Sequence, residues 1–356
     1  MTRIILLIVL LLAAAAPARG QNAVGGHVVA ATDRTDRVSL VAQGVANPES
    51  RAEVGADTVF HIASLSKQIT AAALAFAILE ERVSLDDPVA THFPEARHLG
   101  EDLTVGHLLY FTSGLSEAYD LPRAGGIPWT THHYFTVEDA IETSLAQKTL
   151  KFPPGSRWDY NNINYQLIAE LIARLYERPF SEVVAEKIFD PLGMTASLIH
   201  DDTTRIIPNR AEGLVPRTKE FVEQLRSVGV EASLEGGPVL IRRNAPHYGG
   251  SGVMTSMADW LLWQREMLSG AVFGDAFWEV MMSTRSYDHD KANDAFGLVK
   301  SEFEGAAILW FSGGDIDGTS YMLASPELGL AAACFSNNPT FDCRSEAQTA
   351  FRDARP

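Results

Sequence analysis

The chain has 356 residues, of which 46% are hydrophobic and 21% charged, enough apolar material for a full core and no bias toward a fibrous or disordered protein. A formal charge of -16 excludes a basic stripe for phosphate backbones and sets the surface against anionic membranes, so nucleic acid is not an expected partner. Cys334 and Cys343 are the only cysteines, and they can pair if the chain is exported.

Residues 1–20 read as a secretory leader: Arg3 supplies the positive start, Ile4 to Ala16 the apolar run, and Ala18-Arg19-Gly20 the small residues for cleavage. The run is shorter than the ~20 residues of a spanning helix and nothing comparable follows it. A periplasmic or secreted protein without a stable membrane span is therefore expected. Left uncleaved, the same run would act as an anchor. The absence of a Cys just after it argues against a lipoprotein.

His27 to Ala31 and Val38 to Ala42 flank a polar turn and predict two strands. Ala306 to Phe311, Ser320 to Ser325 and Gly329 to Ser336 predict three more, in an antiparallel meander. Between these ends the period becomes helical. Ile69, Ala72, Ala73, Phe76 and Leu79 follow Ser64 at helical spacing, and helices are predicted at 105–110, 137–146, 165–176, 180–188 and 258–269. The expected fold is α/β (α+β): a five-stranded antiparallel sheet built from both termini, flanked by helices, with a mostly helical lobe inserted. One catalytic domain over residues 21–356 is expected, its sheet lobe at about 21–63 and 240–356 and its helical lobe at about 64–239. Residues 116–135 contain Pro122, Gly125, Gly126 and Pro128 with little periodicity and predict a long loop bordering the site.

Ser64-Leu65-Ser66-Lys67 opens the first long helix, and a spacing of three puts a hydroxyl and an amine on one face. Ser is a weak nucleophile until a neighbouring base takes its proton, and a desolvated Lys is one such base. The helix N-terminus adds partial positive charge where an oxyanion would form. Taken alone, Ser-x-x-Lys also describes an exposed cap followed by a surface Lys. Tyr160-Asn161-Asn162 follows the turn-rich Phe152-Pro153-Pro154-Gly155-Ser156, which would hold a phenol rigidly. Free Tyr and Lys side chains titrate near roughly 10, so neither is a base at neutral pH unaided. A Lys cation beside the phenol would favour phenolate, which could accept the Ser64 proton. The plain alternative is a packed Tyr160 whose hydroxyl is satisfied by Asn162.

Together with Phe60-His61-Ile62-Ala63, Ser84-Leu85-Asp86-Asp87-Pro88, Leu108 to Leu115, Asp190-Pro191-Leu192-Gly193-Met194 and Gly249-Gly250-Ser251-Gly252, these stretches resemble the serine β-lactamase and penicillin-binding-protein-like hydrolases. Within that family the resemblance points to class C β-lactamases, D-alanyl-D-amino-acid peptidases and family VIII esterases. It implies Ser64 as the acylated nucleophile, Lys67 and Tyr160 as shared general base, and Asn162 as the group orienting Lys67 and the substrate amide. Members of the family usually carry Lys or His, any residue, then Gly on the strand lining the site. The matching stretch here is Ser312-Gly313-Gly314, and a shift of one would put Phe311 first. Either alignment lacks the cation, which Arg242, Arg243 or Lys300 could replace in space. Gly314 would let a substrate backbone approach, and the Asp315 amide would join that of Ser64 as the oxyanion hole.

Other patterns carry less. The glycines from Gly313 to Gly318 lack the Lys and the following helix of a phosphate loop. Asp315-x-Asp317-Gly318 hints at calcium, yet Pro326 stands where the loop needs Glu. His132-His133 has no third metal ligand at a recognisable spacing. Trp129, Tyr134 and Phe135 suit either a substrate pocket or the core, and no Gly-x-Ser-x-Gly elbow is present. The expectation is a cofactor-free serine hydrolase acting on a small-molecule or peptide substrate, an ester or D-amino-acid peptide in preference to a β-lactam. The rival reading is a non-catalytic ligand-binding or sensing protein on the same fold.

Overall fold

The computed structural model describes residues 24–118, 135–227, 229–243, 245–285 and 294–355. The leader-like residues 1–20 and most of the 116–135 loop, with Trp129, His132, His133 and Tyr134, lie outside them. Among the described residues no helix is long and apolar enough to cross a membrane.

The central sheet is antiparallel and has seven strands, in the spatial order Ala52–Glu53, Val38–Asn47, Gly26–Asp33, Leu330–Ser336, Gly318–Ser325, Ala306–Asp315, Val299–Phe303. The expected count of five is corrected by the two edge strands. Ala52–Glu53 is too short to leave a period in the sequence, and Val299–Phe303 is half-buried to exposed, with no apolar run to mark it. The five inner strands are those predicted from the two ends of the chain. Gly26–Asp33 pairs with Leu330–Ser336 in the register Val28 opposite Phe335 and Ala30 opposite Ala333, which joins the termini at the middle of the sheet.

The inner strands read as near-continuous apolar runs because both their faces are covered. Val28, Ala30, Met322, Ala333 and Phe335 lie in one cluster with Trp260 and Trp263 of the helix Met257–Ser269. Val29, Ala31, Leu323, Ala332 and Cys334 lie in another with Ala347 and Phe351 of the helix Cys343–Asp353. Cys334 and Cys343 are disulfide-bonded with Cα atoms 5.1 Å apart, fixing that last helix to its strand.

The helix Ser66–Leu79 is buried along nearly its whole length, not on one stripe as its spacing suggested. It packs on Asn162–Tyr176, Asp275–Met281 and Phe180–Val184, and its run of Ala71, Ala72, Ala73, Ala75 and Ala77 lets these neighbours approach from several sides.

Candidate active site

Ser64 sits in a single 3-10 turn, Ala63–Leu65, between the short strand Val59–His61 and the helix Ser66–Leu79. Ala63 has a left-handed φ of 47°, which costs a non-glycine residue about 1–2 kcal/mol and needs support from its surroundings. Ile62 N–H donates to the Val253 carbonyl at 3.1 Å, and the Ile62 carbonyl accepts the Ser320 hydroxyl at 2.7 Å. Opposite the turn only glycine fits at 313. A Cβ there would lie 2.5 Å from the Ile62 carbonyl oxygen and 3.0 Å from the Ser64 amide nitrogen.

Lys67 Nζ lies 3.2 Å from Ser64 Oγ. The side chain is fully buried, and it also donates to Asn162 Oδ1 at 2.8 Å and to the Gly250 carbonyl at 2.6 Å. Both carbonyl oxygens only accept, so two N–H bonds of Lys67 are committed in either charge state. The third position, an N–H in the ammonium or a lone pair in the amine, falls on Ser64 Oγ.

Tyr160 OH lies 2.8 Å from Ser64 Oγ, and Lys67 Nζ is 4.8 Å from the centroid of the phenol ring. The plain reading of Tyr160 fails, because Asn162 is engaged by Lys67 and the phenol hydroxyl by Ser64. The ring packs on Phe111 with centroids 4.9 Å apart, and Phe111 in turn meets Trp158 and Tyr165. Backbone bonds from Asp159 N to Phe111 O and from Gly155 N to Thr112 O, both 2.8 Å, tie the Tyr160 loop to the Thr112 turn. Asn161 caps the helix Asn162–Tyr176 by accepting from Ile163 N and also donates to Leu115 O at 2.7 Å.

Along the third motif Ser312 and Gly314 are exposed, while Phe311 and Gly313 are buried. Ser312, not Phe311, therefore stands on the open face of the strand, and nothing lies within 4 Å of the position a Gly314 Cβ would take. The three candidate cations are engaged elsewhere: Arg242 forks onto Glu212, Arg243 onto Asp315 with Nε at 2.9 Å, and Lys300 donates to the Met282 carbonyl at 2.5 Å. Phe135 is half-buried against the core.

Three neighbours of the site had no role in the sequence reading. The Gly250 carbonyl was visible only as part of a glycine-rich stretch. Glu117 accepts the Asn162 amide at 2.8 Å; burial raises its carboxyl above the usual range, against the opposing pull of Asn162 and Lys67. His61 pairs with Asp317 at 2.8 Å and lies 3.9 Å from Asp315. Burial alone would lower the imidazole's pKa, but these two carboxylates outweigh it and raise the value. His61, Asp315 and Asp317 hold ligand atoms within 4.8 Å of one another. Both carboxylates are already committed, Asp317 to His61 and Asp315 to Arg243, so a metal ion would have to displace protein partners.

Comparison with known proteins shows the family and the fold. A D-aminopeptidase of Gluconobacter oxydans (strain 621H) is 26% identical over 271 residues, covering 76% of this chain and 47% of the relative. Esterase EstB of Burkholderia gladioli is 30% identical over 168 residues, 43% of this chain and 41% of the esterase. The chain thus spans about half the length of these relatives, or less. Among solved structures, D-amino acid amidase from Ochrobactrum anthropi SV3 superposes with a TM-score of 0.77 at 20% identity, covering 94% of this chain and 96% of the amidase. A penicillin-binding protein homologue from Pyrococcus abyssi superposes with a TM-score of 0.75 at 23% identity, covering 92% and 72%. Residues 12–354 match the family model described as Beta-lactamase, and the chain belongs to that family of serine-hydrolase-type proteins.

Proposed function

We propose that the protein hydrolyses an ester or amide through an acyl-enzyme on Ser64. The observation that carries this reading is the convergence of Tyr160 OH and Lys67 Nζ on one hydroxyl, at 2.8 and 3.2 Å. Lys67 and Tyr160 together hold one proton fewer than their full complement in the reactive state. As Ser64 Oγ bonds to the substrate carbonyl carbon, its proton passes to this pair. The Ser64 amide receives the developing oxyanion with that of Gly314, which faces the open edge of its strand, whereas the expected Asp315 amide is turned into the hairpin pair with Gly318; each such donor contributes about 3 kcal/mol to the transition state. Collapse breaks the bond to the leaving group, which takes the proton from Tyr160. Water then gives a proton to the pair as its oxygen attacks the acyl carbon; collapse breaks the bond between that carbon and Ser64 Oγ, and the pair returns the proton to Oγ, freeing the acid product and resetting the site. Asn162 keeps Lys67 in place and faces the substrate amide.

Charge around the cleft supports a neutral ester or a D-amino-acid amide over a carboxylate-bearing lactam. Ser312 is uncharged where the family resemblance implies Lys or His, and the Glu117 carboxyl lies beneath Asn162. Losing a charged donor costs a carboxylate substrate about 1.5–3 kcal/mol. Residence outside the reducing cytoplasm is part of the same reading, supported by the apolar run Ile4 to Ala16 and the Cys334–Cys343 disulfide.

The test is intact-protein mass spectrometry after exposure to a fluorophosphonate, followed by rates on p-nitrophenyl esters, D-amino-acid amides and a cephalosporin. Expected are one adduct, absent in Ser64→Ala, and faster turnover of esters or D-amides than of the cephalosporin. No adduct on the unmodified protein would overturn the hydrolase reading in favour of a binding protein.

A further inference from the structure

His61 stands where three segments of the site meet. It lies three residues before Ser64, at the end of the strand Val59–His61. Its Nδ1 is 2.8 Å from Asp317 Oδ1, in the turn that follows Gly313, Gly314 and Asp315. Its Nε2 is 2.8 Å from Ser251 Oγ, in the loop whose Gly250 carbonyl holds Lys67. The nucleophile turn, the proposed oxyanion strand and the lysine-holding loop thus share one imidazole.

The proton on Nε2 decides how that loop is held. With it, Nε2–H donates to Ser251 Oγ and Nδ1–H donates to Asp317, so both short contacts are charge-assisted. Without it, Nε2 is an acceptor and keeps the bond from the Gly252 amide, which already donates to it at 3.3 Å, together with the Ser251 hydroxyl. Gly252 is two residues from the carbonyl on Lys67, so the change reaches the amine through the backbone.

We propose that His61 is a positioning residue for the hydrolysis: its imidazolium, clamped between Asp317 and Ser251, keeps Gly250 on Lys67 and the Gly313 strand on the nucleophile turn. This rests on the acyl-enzyme reading of Ser64. Asp317 and Asp315 favour the charged ring and Arg243 opposes it; Arg210, His200 and His247 line the same small cavity, and both of those histidines have lowered pKa values and are held toward the neutral form. The two carboxylates are the nearer, at 2.8 and 3.9 Å. Activity should therefore fall on the alkaline side as His61 loses its proton.

The experiment measures kcat and KM for p-nitrophenyl butyrate across pH in the unmodified enzyme, Asp317→Asn and His61→Gln, with NMR titration of the isotope-labelled histidine rings. The expected alkaline midpoint of kcat coincides with the His61 ring titration, and Asp317→Asn moves both to lower pH by the same amount. His61→Gln loses the alkaline limb and about tenfold in kcat, with KM within about twofold. A His61 ring that is neutral throughout about pH 5 to 9 overturns the proposal; this reading needs no variant to fold. So does a His61→Gln enzyme with the parent kcat and pH profile. Fluorophosphonate labelling of the same unmodified sample separates the failures: no label sinks the acyl-enzyme reading, whereas a label with an indifferent His61 sinks only this one.

Discussion

The Gly250 carbonyl accepts an N–H of Lys67 at 2.6 Å from a position 183 residues further along the chain. The amine's direction is therefore set by a loop as much as by its own helix. That loop requires glycine at 249, where φ is 86° and a Cβ would lie 2.5 Å from the Tyr165 carbonyl oxygen. Lys67→Met keeps the apolar stem but leaves the Gly250 carbonyl and Asn162 Oδ1 without their donor. Steady-state assays should show kcat reduced by about 10²–10⁴, and denaturant unfolding should show a loss of about 1–3 kcal/mol.

Tyr160→Phe separates chemistry from packing. The ring stays on Phe111, so stability should change by less than about 1 kcal/mol. Loss of the hydroxyl beside Ser64 Oγ should lower kcat by about 10²–10⁴. Equal acylation and turnover in this variant would mean that Lys67 alone serves Ser64.

Ser312→Lys returns a cation to the exposed face of the third-motif strand. Turnover of a carboxylate-bearing lactam or peptide should rise by about 10- to 100-fold in kcat/KM, the equivalent of about 1.5–3 kcal/mol. A neutral ester should gain nothing, and the ratio of the two rates is the measurement.

The Cys334–Cys343 bond closes a loop of sequence separation 9. Chain-entropy arguments give such a loop about 2–3 kcal/mol. The double variant Cys334→Ala/Cys343→Ala should unfold at correspondingly lower denaturant, and reduction of the unmodified protein should reproduce the loss.

Acid should weaken the fold before carboxylates titrate. Burial, aided by Arg285, lowers His107 to about 4, and burial, aided by Arg210 and His61, lowers His200 to about 4. Both are neutral in folded and unfolded chains well above 6.5. As pH falls through 6.5 toward 4 the unfolded chain takes up protons that the folded one refuses, so stability declines across that window. His61, raised by Asp317 and Asp315, has the opposite sign: its contribution is full below 6.5 and is lost as pH rises through its folded value. Melting temperature followed from pH 7 downward should fall, and His200→Gln should flatten the slope.

The inner strands and the main helices were legible because their apolar residues repeat with the right period; Ser64, Lys67 and Tyr160 were marked by spacing and turn chemistry, and Asn162 by the family resemblance. Ser312 was identified as well, although its register against Phe311 waited on which side chain faces outward. The edge strands left no period, since an edge need not bury both faces. Gly250 and Glu117 act through a backbone carbonyl and a backbone amide, interactions that no side-chain pattern records. His61 became meaningful only when Asp317 and Ser251, 256 and 190 residues away, were brought beside it.

The strand Leu330–Ser336 lies between Gly26–Asp33 and Gly318–Ser325, so a segment synthesised long after its partner Gly26–Asp33 completes the middle of the sheet. Until it arrives, the strand bearing Gly313 has no continuous platform to press it against the turn of Ser64. A half-made chain is thus chemically silent, and a premature stop just before residue 330 should yield debris for proteases, not a crippled hydrolase.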